Sequence, residues 1–107
     1  MPPATLVCDR NELTSWTGLV TAYRRDGDQA WIEIHTDEET VESTTITNQG
    51  KADPSAHFLI WSQAFTGKDW QRIEQSPGVL RTNMRATAWI CSDGKTPPVI
   101  DWQPLLD

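Results

Sequence analysis

Along residues 79–91, Leu80, Thr82, Met84, Ala86, Ala88 and Ile90 alternate with Arg81, Asn83, Arg85, Thr87 and Trp89. Successive side chains of an extended strand point to opposite faces, so the second set shares a side that meets water or a ligand. A shorter run behaves alike: Trp31, Glu33 and His35 oppose Ile32 and Ile34, while Tyr23 and Arg25 share a side of the run before it. If these sides coincide, one surface carries guanidinium groups among aromatic rings. Rings stack on bases for about 1–3 kcal/mol each while guanidinium groups meet phosphates, which is the chemistry that holds single-stranded nucleic acid. Tyr23, Arg25, Trp31, His35, Arg81, Arg85 and Trp89 are therefore expected ligand-binding residues. The same residue types anchor protein interfaces, so a protein partner or assembly contact met through the same face or through a sheet edge is the alternative reading.

Other constellations carry less. His35, Asp37 and Glu39 stand at spacing two and would share a side of an extended strand, but the charge run Asp37-Glu38-Glu39 reads as a solvated turn rather than a metal site. Gly94-Lys95-Thr96 ends like a phosphate-binding loop. That pattern requires glycine five residues before Gly94, where Trp89 stands, and a following helix that Pro97-Pro98 forbids. Neither cysteine has a histidine near it in sequence and the acids concentrate in turns, so no catalytic residue, cofactor or metal is expected, a site assembled in space from His35 and His57 being the alternative. The expectation is a non-enzymatic binding module.

The 107 residues suit one small domain able to bury its own core. Fifteen acids against nine bases leave a net charge of -6, which opposes sequence-blind attraction to phosphate backbones without excluding a local basic patch. No apolar run is long enough to span a bilayer, and the first residues lack both the basic and the apolar region of a signal peptide. A cytoplasmic location is the default expectation. Cys8 and Cys91 are too few for a disulfide framework and are read as free thiols, although one bridge would form if the terminal segments met.

These residues need elements to hold them. Residues 1–15 read as a loosely ordered N-terminal segment before a domain over 16–107. Residues 16–25 and 29–36 form a hairpin around Asp26-Gly27-Asp28. Residues 41–47, rich in Thr and Ser, make a weak edge strand or an extension of the hairpin. A buried strand is expected over 57–65, a helix of about two turns from Thr66 to Glu74, a long strand over 79–91 and a last one over 99–105, interrupted by Pro104. The expected core is Val20, Ile32, Ile34, Phe58, Ile60, Leu80, Met84, Ala86, Ala88 and Ile90.

Five strands with a short helix between the third and fourth, Gly18 in the first strand and Val99-Ile100-Asp101-Trp102 in the last, resemble the OB-fold over residues 16–105. The fold class expected is thus all-β with minor helix, a five-stranded Greek-key barrel. A small SH3-like barrel and a five-stranded sheet with one helix are the alternatives. OB-folds bind on their second and third strands, so the resemblance implies that Trp31, His35 and Trp61 lie nearer the site than Arg85 does.

Overall fold

In the computed structural model, which describes residues 8–105 together with Pro3 and Leu6, the longest strand is β1 (Leu13–Asp26). Gly27, with φ +60°, supplies the left-handed turn that returns the chain as β2 (Gln29–Thr36), and a turn after Thr36 leads to β3 (Val41–Thr47). The remaining strands are β4 (Phe58–Ile60), β5 (Gln63–Ala64), β6 (Glu74–Ser76), β7 (Val79–Leu80), β8 (Arg85–Cys91) and β9 (Val99–Gln103). Between β5 and β6, a 3-10 turn (Gly67–Asp69) runs into α1 (Trp70–Ile73). Thr66 starts it as the sequence predicts: its N–H and hydroxyl both donate to Asp69 Oδ2, at 2.8 and 3.1 Å.

Seven strands make one sheet in the order β3-β2-β1-β8-β9-β4-β5, and β6 and β7 form a small separate pair. All pairings are antiparallel except β4 with β9. The protein is mostly β with one short helix, as expected, but the sheet has seven strands and does not close. β9 spends its second edge on β4, with Phe58 beside Ile100 and Ile60 beside Trp102, so that edge is no longer free to meet β3. Among the described residues no helix is long and apolar enough to cross a membrane.

One face of the sheet curls around the core. Ile32, Ile34, Phe58, Ile60, Met84, Ala86 and Ala88 are buried there, with Val20, Leu80 and Ile90 packed against them, which is the core expected from alternation. Ala30, Ile46, Ile73, Ile100 and Trp102 complete it. Trp102 is fully buried and held by edge-on contacts with Tyr23 and Phe58, while its indole N–H finds no acceptor among the described residues.

Five local expectations are corrected. The strand expected over 79–91 is broken: Arg81 N–H donates to Ile73 O, tying the first part to α1, and Asn83 takes φ +60° before β8 begins. The strand over 57–65 is interrupted by Trp61 and Ser62, both with positive φ, and the last strand ends at Gln103 before Pro104. Order begins ahead of Trp16, because a 3-10 turn over Arg10–Glu12, capped by the Asp9 carboxylate on Asn11 N–H, leads directly into β1. Met1, Pro2, Ala4, Thr5 and Val7 of the expected N-terminal segment, with Leu106 and Asp107 at the other end, lie outside the described residues. Finally, Cys8 and Cys91 are not free thiols but a disulfide, because β1 pairs with β8 in a register that sets Leu13 beside Cys91 and so brings the preceding segment to it.

Candidate functional site

Which face each residue occupies is decided in the middle of β1. Before residue 21 the inward positions are even: Trp16 pairs with Ala88, Gly18 with Ala86 and Val20 with Ile34. Thr21 is then an extra residue, since Val20 pairs with Ile34 and Ala22 with Glu33, and this bulge exchanges the two faces. Tyr23 and Arg25 consequently lie beside Ile32 and Ala30, on the inner face, while Trp31, Glu33 and His35 look outward. The two sides do not coincide.

On the inner face Arg25 makes a bidentate pair with Glu74, Nε and Nη2 each donating at 2.8 Å, and Tyr23 donates its hydroxyl to the same carboxylate. The guanidinium also sits over the Trp70 ring, 4.5 Å from its centroid. Burial pushes the Glu74 carboxyl up, but hydrogen bonds from Arg25, Tyr23 and the Gly78 amide outweigh it and hold the group below the usual carboxylate range. Burial and the adjacent Glu74 both push the Tyr23 hydroxyl far above its usual range. Arg25 is thereby committed to Glu74. Arg81 stands at the rim of the same cleft, of about 470 Å³, and its Nε donates to Gln71 O at 2.8 Å.

On the outer face, Arg85, Leu19 and His35 form a row across β8, β1 and β2. Arg85 Nη2 donates to Asp37 Oδ2 at 2.5 Å, and this contact lowers the Asp37 carboxyl below its usual range. Trp31 lies further along β2 under the Arg24 guanidinium, 5.7 Å from its ring centroid. Trp89 is beside Ser15 at the other end of β1. Ser15 and Arg24 are nine positions apart, so the two tryptophans are separated by about 30 Å at roughly 3.3 Å per residue. Trp61 belongs to neither group: it turns the chain between β4 and β5 at the opposite sheet edge, donating Nε1 to Pro104 O at 3.0 Å. The eight sequence-predicted residues thus fall into an inner pair, an outer row with two distant rings, a rim arginine and an edge tryptophan.

His35, Asp37 and Glu39 do not converge, as Asp37 turns to Arg85. Among the described residues, the ligand atoms of Cys8, Glu12 and Cys91 approach within 4.8 Å, but the two sulfurs are bonded to each other.

The feature that lies outside the aromatic and arginine residues is the free side of β3, the outer strand of the sheet. The hydrogen bonds Thr36 N–H to Thr40 O and Asn48 N–H to Asp28 O flank its pairing with β2, and the register between them runs without a shift. Hydrogen-bonded pairs alternate in an antiparallel ladder. Even-numbered residues Glu42, Thr44 and Ile46 therefore spend their backbone groups on β2, and Val41, Ser43, Thr45 and Thr47 direct theirs away from the sheet. Among the described residues nothing accepts them. Val41, Ser43 and Thr45 are exposed, Val41 to 61%. The reading of 41–47 as an edge strand pointed here; its Thr- and Ser-rich alternation was the signal. No protein-family model matches the chain, and neither a curated protein nor a solved structure matches it.

Proposed function

We propose that the chain is a non-enzymatic binding domain that works by protein–protein contact, taking an extended segment of its partner onto the open edge of β3. One observation carries this: seven consecutive residues present four outward sets of backbone donors and acceptors with nothing over them. Such an edge is a template for strand addition, in which main-chain hydrogen bonds supply affinity and alternate side chains supply selectivity. The order β3-β2-β1-β8-β9, with the helix ahead of β8, supports an OB-like architecture opened between β3 and β9. Arginines that phosphates would need are already engaged, Arg25 by Glu74, Arg72 by Asp69 and Arg85 by Asp37, in a chain of net charge -6.

One observation favours single-stranded nucleic acid as the second reading. Arg24 over Trp31 is a cation and ring together on the outer face of β1 and β2, and Arg24 has no ion-pair partner among the described residues. Selection of random heptapeptides on the immobilised chain, with Thr45→Pro as counter-selection, separates the two. Recovery of β-branched, alternating peptides that ignore the Thr45→Pro chain supports strand addition. The proposal fails if no peptide depends on Thr45 while mixed-sequence oligonucleotides bind saturably below about 100 µM, the strength of ordinary non-specific association.

A further inference from the structure

We infer that the strand taken up at this edge is β3 of a second copy, joining two sheets into one around a two-fold axis through Thr44; this rests on the strand-addition reading. A two-fold antiparallel pairing about residue 44 sets Val41 opposite Thr47, Ser43 opposite Thr45, and Thr44 opposite itself. Because the axis passes through a residue rather than between two, odd positions meet odd positions, and with the centre at Thr44 the groups that β2 leaves unused face one another in four hydrogen-bonded pairs. A centre between two residues would instead set free groups against groups already bonded to β2.

Side chains agree with that register. Ser43 opposite Thr45 and Thr44 opposite Thr44 are favourable cross-strand pairs, and the one charged side chain of the strand, Glu42, falls opposite Ile46 rather than another carboxylate. The strand has no proline, lysine or bulge to discourage pairing, whereas the opposite edge of the sheet is only the two-residue β5. The two ends differ in that only one of them holds a cation. The turn before β3 carries Glu38 and Glu39, and the loop after it carries Lys51, the only Lys or Arg between residues 26 and 67. Pairing about Thr44 brings the acidic turn of one copy to the Lys51 loop of the other. Asp28 and Asp53 lie beside Lys51 with their carboxylates bonded to Gly50 N–H and Ser55 N–H, so the attraction is confined to Lys51 itself within a loop region that is acidic as a whole.

Strand addition of this length adds little side-chain area, and each copy carries a net charge of -6, so the dimer is reversible and tightens as salt screens the repulsion. Sedimentation equilibrium of the full chain from about 1 µM to 1 mM, at low and high salt, reads this directly. The mass-average molecular weight should double across the range, and the midpoint should move to lower concentration at high salt. Thr45→Pro removes only an outward N–H and should weaken association at least tenfold with the unfolding midpoint retained. Ser43→Lys with Thr45→Lys, which places like charges opposite each other without touching the core, should do the same should the proline variant fail to fold. Ser43→Lys with Thr45→Glu should restore the dimer, because each lysine then faces a glutamate. A monomer at every concentration, or a dimer indifferent to these pairs, overturns the inference. If that monomer still binds the selected heptapeptides at β3, only the second copy is wrong; if it binds none, the strand-addition reading falls with it.

Discussion

Removing the carboxylate of Glu74 should show that Arg25 is a structural group rather than a contact for ligand. The Glu74 side chain is 5% exposed and that of Arg25 23%. Breaking a buried ion pair from one side costs about 3–5 kcal/mol, because the remaining charge is left without a partner. Arg25 keeps part of its hydration and the Trp70 ring, so Glu74→Gln should cost less, about 2–4 kcal/mol. Tyr23→Phe deletes one hydrogen bond to an ionised acceptor and should cost about 1.5–3 kcal/mol. Both act on one carboxylate, so the double variant should cost less than the sum by about 1 kcal/mol. Urea unfolding followed by tryptophan emission measures all three. Linkage gives the pH dependence two arms. Glu74 is held below its unfolded value, so its contribution is complete above about pH 4.5 and is lost as pH falls through the folded value. Tyr23 is held above its unfolded value, so its contribution is complete below about pH 10 and is lost as pH rises beyond it. The difference between wild type and Glu74→Gln should therefore shrink at both extremes. A cost below about 0.5 kcal/mol at pH 7, or a difference independent of pH, would refute the assignment of Arg25 to the fold.

Gly18→Ala should destabilise by about 3 kcal/mol or more, because its Cβ would lie 2.1 Å from the backbone oxygen of His35 and 2.7 Å from Thr36 Cα on β2; a thermal midpoint unchanged from wild type would show that the strands can part there. Reducing the Cys8–Cys91 bond releases a closure of 83 residues and should lower stability by about 4–5 kcal/mol on chain-entropy grounds. Urea midpoints with and without a dithiol check this, and coincident curves would mean that the bridge is absent in solution. Ile34→Ala, at a residue 1% exposed, should cost about 2–5 kcal/mol, while Val41→Ala at the free edge should stay within about 0.5 kcal/mol; equal costs would contradict the inward assignment of β2.

What could be read from residue order was local. Asp26-Gly27-Asp28 specified the β1–β2 turn, Thr66 and Asp69 the start of the helix, and two-residue alternation the inward side of β2 and β8. What could not be read was parity across an irregularity. Thr21 is an ordinary β residue, and nothing in its type announces the bulge that moves Tyr23 and Arg25 from the face of Trp31 to that of Ile32. Alternation likewise ran on through Arg81, Asn83 and Arg85, although the left-handed backbone at Asn83 ends one strand before the next begins. Asparagine tolerates that conformation better than most residues, which was the available cue. Meetings across the chain, such as Cys8 with Cys91 and Arg25 with Glu74, follow from the sheet order and had no local signature.

The position of β1 between β2 and β8 also decides the order of events as the molecule folds. Its pairing with β2 closes over a two-residue turn, whereas its contact with β8 joins Thr17 to Thr87, 70 residues apart. Loop closure of that span costs entropy before any contact offsets it, so the three-stranded meander β1–β3 forms early and docking of the β8–β9 hairpin is the slow step. Until that hairpin arrives, β1 is itself an open edge, and the nascent sheet exposes two long templates for strand pairing where the finished one keeps β3 and the two-residue β5.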